Sequence, residues 1–201
     1  MESDTEIANF ALSHLGISKS IAELTSEKSA EANAIRRIYK NTLDEVLSDF
    51  AWPFASKTIT IGLVESNPNT EWAFSYRYPA DSVCIRRILS GIRSDTQESR
   101  VPYKIAQDDK ALLIYTDKED AEAEYTVRET RVNLYPPDFC SAFSLLIASY
   151  IAPQITGGDP FKLGDRALKL YQAAINGAQA SALNEEQSDQ LPDAESIRAR
   201  T

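Results

Sequence analysis

The chain holds one histidine and two cysteines. That scarcity removes most of the chemistry a sequence can announce. A zinc site draws on histidine and thiolate ligands, and a nucleophilic triad needs a base beside its nucleophile. His14 has no acidic or thiol partner at such spacing, so it reads as a structural side chain beside the first helix. Cys84 and Cys140 make no CxxC and stand in unrelated contexts, which predicts two free thiols. Phosphate-loop, dinucleotide and calcium-loop signatures are missing too. Gly157-Gly158 has no Lys-Ser/Thr after it and no strand before it. No catalytic, cofactor-binding or metal-ligating residue is therefore assigned, and no enzymatic activity is expected.

A basic excess is also lacking. Twenty-one Lys and Arg face thirty Asp and Glu, for a formal net charge of −9. Gripping nucleic acid needs a basic surface, so that function is disfavoured. The balance remains compatible with a protein that DNA passes without sticking. Long apolar runs are scarce. The longest, Phe139 to Pro153, is interrupted by Ser141, Ser144 and Ser149, and is expected to be too short to span a bilayer. The opening Met1-Glu2-Ser3-Asp4 is acidic, unlike a secretory signal, so synthesis in the cytosol is the simplest reading.

What is present is architecture. The chain is organised around Phe50-Ala51-Trp52-Pro53-Phe54, where a helical period stops and an alternating one starts. Pro53 has no N–H to donate and biases Trp52 out of the α region. Before it, Ser3 and Glu6 have capping-box spacing, and Ile7, Phe10, Ala11 and Leu15 share one face up to Gly16. Thr25 or Ser26 is expected to cap a second helix, with Ile35, Ile38, Tyr39, Leu43, Val46, Leu47 and Phe50 as its apolar stripe. The neighbouring Arg36-Arg37 pair reads as part of a solvated face rather than a phosphate contact.

From Lys57 the period is two. Ile59, Ile61 and Leu63 predict one strand, and Trp72, Phe74, Tyr76 and Tyr78 an aromatic strand face. That face reads as sheet core, since the basic groove of a single-strand binder is missing. Val83 to Leu89, Tyr103 to Ala106, Leu112 to Thr116 and Ala121 to Arg128 complete an expected single sheet of about five or six strands. Asp117, Glu119, Asp120, Glu122 and Glu124 are placed on a solvated hairpin rather than a metal site. After Tyr135-Pro136-Pro137, Asp138 is expected to cap a helix that Pro153 bends or ends. Asp159 should then cap a last helix with Pro160 at its first position. Its face is Leu163, Ala167, Leu170, Tyr171, Ala174, Ile175 and Ala178.

The expected fold class is α+β: an antiparallel helical bundle with an inserted antiparallel β region and a flexible C-terminal tail. Residues 1–53 supply the first helical pair, 54–135 the β region, 136–184 the second pair and 185–201 the acidic tail. Ile38, Val46, Phe143, Ile147, Leu170 and Tyr171 are candidate bundle core.

Several stretches together resemble one family. They are Leu15-Gly16 closing the first helix, Ala30-Glu31-Ala32-Asn33-Ala34, the long helix ending in Trp52-Pro53-Phe54, the strand Trp72 to Pro79, and Tyr135-Pro136-Pro137-Asp138-Phe139. With the last long helix and its tail, the order resembles the head-to-tail adaptor of tailed bacteriophages, the tail tubular protein A family. The resemblance implies a structural virion protein at the head–tail interface. Its subunits would form a twelve-fold ring, bind the portal and carry the next tail component, a nozzle or tail tube protein. DNA would pass through without specific binding. The bundle would lie against neighbouring subunits, the β region would face the tail, and a terminal segment would dock on the portal. No family residue is catalytic. The alternative is a non-enzymatic cytosolic interaction module that forms no ring.

Overall fold

The computed structural model describes residues 3–92, 99–109 and 111–185. The fold is α+β, with four helices and two antiparallel sheets. Helices α1 (Asp4–His14) and α2 (Ala30–Asp49) precede the sheets. The strands are β1 (Ser56–Thr60), β2 (Leu63–Ser66), β3 (Phe74–Arg77), β4 (Ser82–Ile88), β5 (Tyr103–Gln107), β6 (Leu112–Thr116) and β7 (Glu122–Val127). Helices α3 (Pro137–Ile155) and α4 (Leu163–Glu185) close the described chain. Most of the tail, from residue 186 on, lies outside the described residues.

The first helix starts where its capping signal stands. Ser3 Oγ accepts from the Glu6 amide at 3.2 Å, and Gly16 after the C-cap has φ +73°, a left-handed turn that favours glycine. The second helix starts later than expected. Ser29, not Thr25 or Ser26, is its N-cap. Residues 21–27 are held as a loop instead: Asn9 both donates to Ile21 O and accepts from Ile21 N, and Thr5 Oγ1 accepts from Leu24 N. Arg36 is part of this clasp. Its guanidinium donates to Leu24 O at 2.9 and 2.7 Å and also to Glu27 O, so it is not simply a solvated charge.

Helix α3 packs against α1, α2 and α4. It buries Phe139, Phe143, Leu146, Ile147 and Ile151 in one core with Ile7 and Leu12 of α1 and Ile35, Val46 and Leu47 of α2. Each such side chain contributes roughly 2 kcal/mol relative to exposure. By length and composition α3 could cross a membrane, contrary to the expectation from its serines. Its burial makes it a core helix here, and the serines are satisfied within it: Ser141, Ser144 and Ser149 donate to Pro137 O, Ser141 O and Leu146 O. Pro153 does not end it, since the helix runs on to Ile155. Asp138 does not cap it either. Pro136 is the N-cap and Pro137 opens the first turn, while the Asp138 carboxylate accepts from Ser181 Oγ of α4.

Asp159 does cap α4, but across a turn. Its carboxylate accepts from Leu163 N at 2.7 Å and Gly164 N at 2.8 Å, so Pro160 lies before the helix rather than at its first position. Gly164 is needed for close approach: a Cβ there would sit 3.0 Å from Ser149 O and 3.1 Å from Ala152 Cβ of α3. Ala167, Tyr171, Ile175, Ala178 and Ala182 form the buried face of α4. Leu170, expected among them, is 46% exposed, and Ile38 of α2 is only half-buried. Leu170 lies one position off the stripe that meets α3, whereas Ile38, though half-buried, still packs against the helical core.

The β region holds two sheets, not one. Their orders are β1-β7-β4 and β2-β3-β6-β5, all antiparallel. The run Ile59 to Leu63 does not stay one strand: β1 stops at Thr60, and Leu63 begins β2 in the other sheet. Gly62, without a Cβ, lies at that change of direction. A second, smaller core joins the sheets through Tyr76 and Ile114 on one side and Ile85, Ile88, Ala123 and Tyr125 on the other. Trp72 lies outside the aromatic strand, which begins at Phe74. The acidic cluster is not on a hairpin, because β6 and β7 lie in different sheets and residues 117–121 cross between them.

Candidate functional site

The chain crosses between helices and sheets twice, at Phe50 to Phe54 outbound and at Tyr135 to Phe139 on return. The two crossings meet in one aromatic cluster. Trp52 is 1% exposed and its Nε1 donates to Val46 O at 2.8 Å, so the indole closes the last turn of α2. Its ring centroid lies 5.1 Å from Phe139, edge to face, and Phe139 lies 4.9 Å from Phe54 and 5.1 Å from Tyr135. The Tyr135 hydroxyl donates to Glu129 O at 2.6 Å, and burial holds that phenol well above its ordinary pKa.

Two arginines, Arg86 of β4 and Arg128 just past β7, lock this joint. Helix α2 has no basic residue in its last turn. Arg86 of β4 fills the place: its Nη2 donates to Leu47 O at 2.9 Å, Ser48 O at 3.1 Å and also Phe50 O. Those carbonyls are the unpaired, negative end of the helix. Arg86 Nε donates to Thr126 Oγ1 of β7, so one guanidinium bridges helix and sheet. Arg128 adds a two-point ion pair to Asp44 of α2, with Nη2 to Oδ2 at 2.8 Å. The neighbouring Glu129 carboxylate is held below the usual carboxylate range by the Arg131 guanidinium.

The residues weighed in the sequence take structural places. His14 lies 4.5 Å from the Phe10 ring, and its Nε2 is 3.1 Å from Ser144 Oγ of α3. Burial lowers its pKa, which favours a neutral ring. Both cysteines are free; Cys140 is buried, and burial pushes its thiol up. In the acidic cluster, Asp117 accepts from Ala73 N and Glu124 pairs with Arg87. Among the described residues no group of three His, Cys, Asp or Glu is arranged to hold a metal ion. A cleft of ≈ 600 Å³ opens beside Ile61, Gly62, Tyr78 and Leu112, with Arg77 the one charged side chain on its wall among the described residues. It offers no convergent polar set to orient a small ligand.

The exposed apolar side chains fall mainly into two groups. Leu63 and Val64 of β2, Ile105 of β5 and Leu112 of β6 lie on the four-stranded sheet. Tyr150 of α3, Phe161 of the α3–α4 turn and Leu168, Leu170 and Leu183 of α4 lie on the helices, with Phe161 82% exposed. Sequence reasoning had marked none of these as surface. Nor had it found the pairing of Arg86 with the helix end. A charged residue inside a strand run was visible, but its partner lies about forty residues away. No protein-family model matches this chain, and no curated protein matches it.

Proposed function

We propose that the chain is a structural, non-enzymatic subunit of a phage head-to-tail adaptor, placed between the portal and the next tail component. In this reading the four helices act as one antiparallel bundle, the β region reaches toward the tail, and copies assemble into a twelve-fold ring around the DNA exit channel. The observation that carries the reading is the doubled set of exposed apolar side chains, one on the helices and one on the four-stranded sheet. An assembling subunit must offer apolar surface on both its helical and its sheet side to the copies and components around it. The joint supports it as well. Trp52, Arg86 and Arg128 fix the angle between helices and sheets, as a spacer that transmits load requires.

The net charge of −9 suits a lining that duplex DNA passes without counterion-release binding. The test is mass photometry of the purified chain with and without its cognate portal. The expected result is a monomer alone and a ring on the portal, where docking raises the effective concentration of neighbours. A chain that stays monomeric with the portal present would leave a soluble interaction module instead. Salt-sensitive micromolar binding of duplex DNA in an anisotropy titration would overturn the passive channel.

A further inference from the structure

The four-stranded sheet has two open edges. In the order β2-β3-β6-β5 neither β2 nor β5 itself has a second strand neighbour among the described residues; the β5 side touches β4 only through the bridge of Val101, two residues before β5, to Ile88. Such an edge is a template for pairing with another chain, and proteins commonly blunt it with charge, bulges or short strands. Here the blunting is selective. Leu63 is 56% exposed on β2 and Ile105 is 46% exposed on β5. Each edge carries one charge of opposite sign, Glu65 on β2 and Lys104 on β5, and neither side chain has an ion partner among the described residues.

The registers make the two edges complementary. Leu63, Tyr76, Ile114 and Ile105 form one row across the sheet, and Glu65, Ser75, Tyr115 and Lys104 form the next. Directly opposite residues share a face, so Leu63 and Ile105 lie on the core-facing side and Glu65 and Lys104 on the other. Four alternating antiparallel strands leave β2 and β5 antiparallel to one another. A copy carried sideways in the plane of the sheet, without being turned over, therefore brings its β5 antiparallel to β2. Continuing the rows sets Ile105 of that copy beside Leu63 and Lys104 beside Glu65. Pairing like with like would set Glu65 against Glu65 or Lys104 against Lys104, and like charges directly opposite are destabilising.

We infer that β2 of one subunit pairs with β5 of the next, with Leu63 against Ile105 and Glu65 against Lys104, so that neighbouring subunits share one continuous sheet. The inference rests on the ring proposed above and names its subunit contact. The contact is head-to-tail, and such contacts close into rings or run on as filaments. The β-bulge between Leu63 and Glu65 kinks the edge locally and is compatible with a curved, closing sheet.

Directly opposite residues of an antiparallel pair lie within disulfide reach. The full-length E65C/K104C variant, oxidised at high protein concentration, is therefore expected to give a covalent ladder extending past dimers. The single variants stop at dimers, and the parent chain controls for Cys84 and Cys140. A double variant that gives no ladder, or stops where the singles stop, overturns the inference. By sedimentation velocity at the same high protein concentration, where the contact is populated without the portal, E65K and K104E should each weaken self-association roughly tenfold, and E65K/K104E should restore it. Failure of the double reversal to restore association overturns the register. A ring on the portal without any ladder sinks the edge pairing and keeps the ring. A ladder that grows into open filaments keeps the pairing and sinks the ring.

Discussion

The helices and the sheets are completed by different means. The helices share one large core centred on α3, whose buried face meets α1, α2 and α4 at once. The sheets share a much smaller core, and its largest members, Tyr76 and Tyr125, still need polar anchors. Tyr76 donates to Lys118 O at 2.8 Å, and Tyr125 donates to Asp81 at 2.9 Å. Between their ends the helices satisfy their own backbone, and the end of α2 is completed from within the chain by Arg86, so they close as a unit apart from the apolar side chains on α3, α4 and their turn. A four-stranded open sheet cannot do so at its edges. The difference teaches where stability resides and where the proposed assembly would act: the helical core holds the fold, and the four-stranded sheet keeps edge strands whose outer hydrogen-bonding groups have no partner strand among the described residues.

The largest break in that comparison should come at the joint. Trp52→Ala removes a fully buried indole and its bond to Val46 O, and should cost about 3–5 kcal/mol in urea unfolding. An unchanged midpoint would place Trp52 outside the core. Arg86→Ala strips the α2 carbonyls of their donor while leaving both cores filled. A loss of about 2 kcal/mol is expected, with faster amide exchange in the last turns of α2. Loss of exchange protection confined to β4 would mean that the arginine serves the sheet alone.

A smaller effect is expected from the ion pair between α2 and the sheet. A double-mutant cycle on Asp44→Ala and Arg128→Ala should give a coupling of about 1 kcal/mol that shrinks with added salt. Coupling near zero would show that the helix is seated by Arg86 and the aromatic cluster without it.

The smallest effect concerns acid. Arg131 holds Glu129 below the usual carboxylate range, and Lys57 with Tyr125 does the same for Asp81. A carboxylate depressed in the folded state stabilises fully above its unfolded pKa, and that gain is lost as pH falls through the folded value. The thermal midpoint should therefore decline as pH drops from roughly 5 toward 3, and Glu129→Gln should flatten part of that decline. An identical pH profile in the variant would remove Glu129 from the account.

The sequence was most legible where local rules act alone. Ser3 and Gly16 bound α1, and α2 stops just ahead of the proline, at Asp49, so that Phe50, expected on its stripe, is already extended and Pro53 opens a short 3-10 turn. It was less legible where tertiary contacts overrode the local signal. Thr25 and Ser26 lost the cap because Arg36, Asn9 and Thr5 hold 21–27 as a loop. Leu170 looked like core because its spacing fits a broad helical stripe, yet α3 meets only the narrower row through Ala167, Tyr171 and Ala178. In the candidate interface, Leu63 was readable as the end of the alternating run from Ile59 and Ile105 as part of the strand Tyr103 to Ala106, but not which strands would be edges.

From the sequence alone came the order of the four helices, the β region between the two helical pairs and the change from a helical to an alternating period around Trp52-Pro53. Those follow from period, proline geometry and residue type, each of which acts within a few residues. The split into two sheets, the meeting of the Trp52 and Phe139 crossings and the bridge from Arg86 to α2 came only from the tertiary structure. Strand pairing and helix-end capping by a distant arginine depend on which segments meet in space. Residue pairs such as Asp44 and Arg128, 84 positions apart, leave no trace in local spacing.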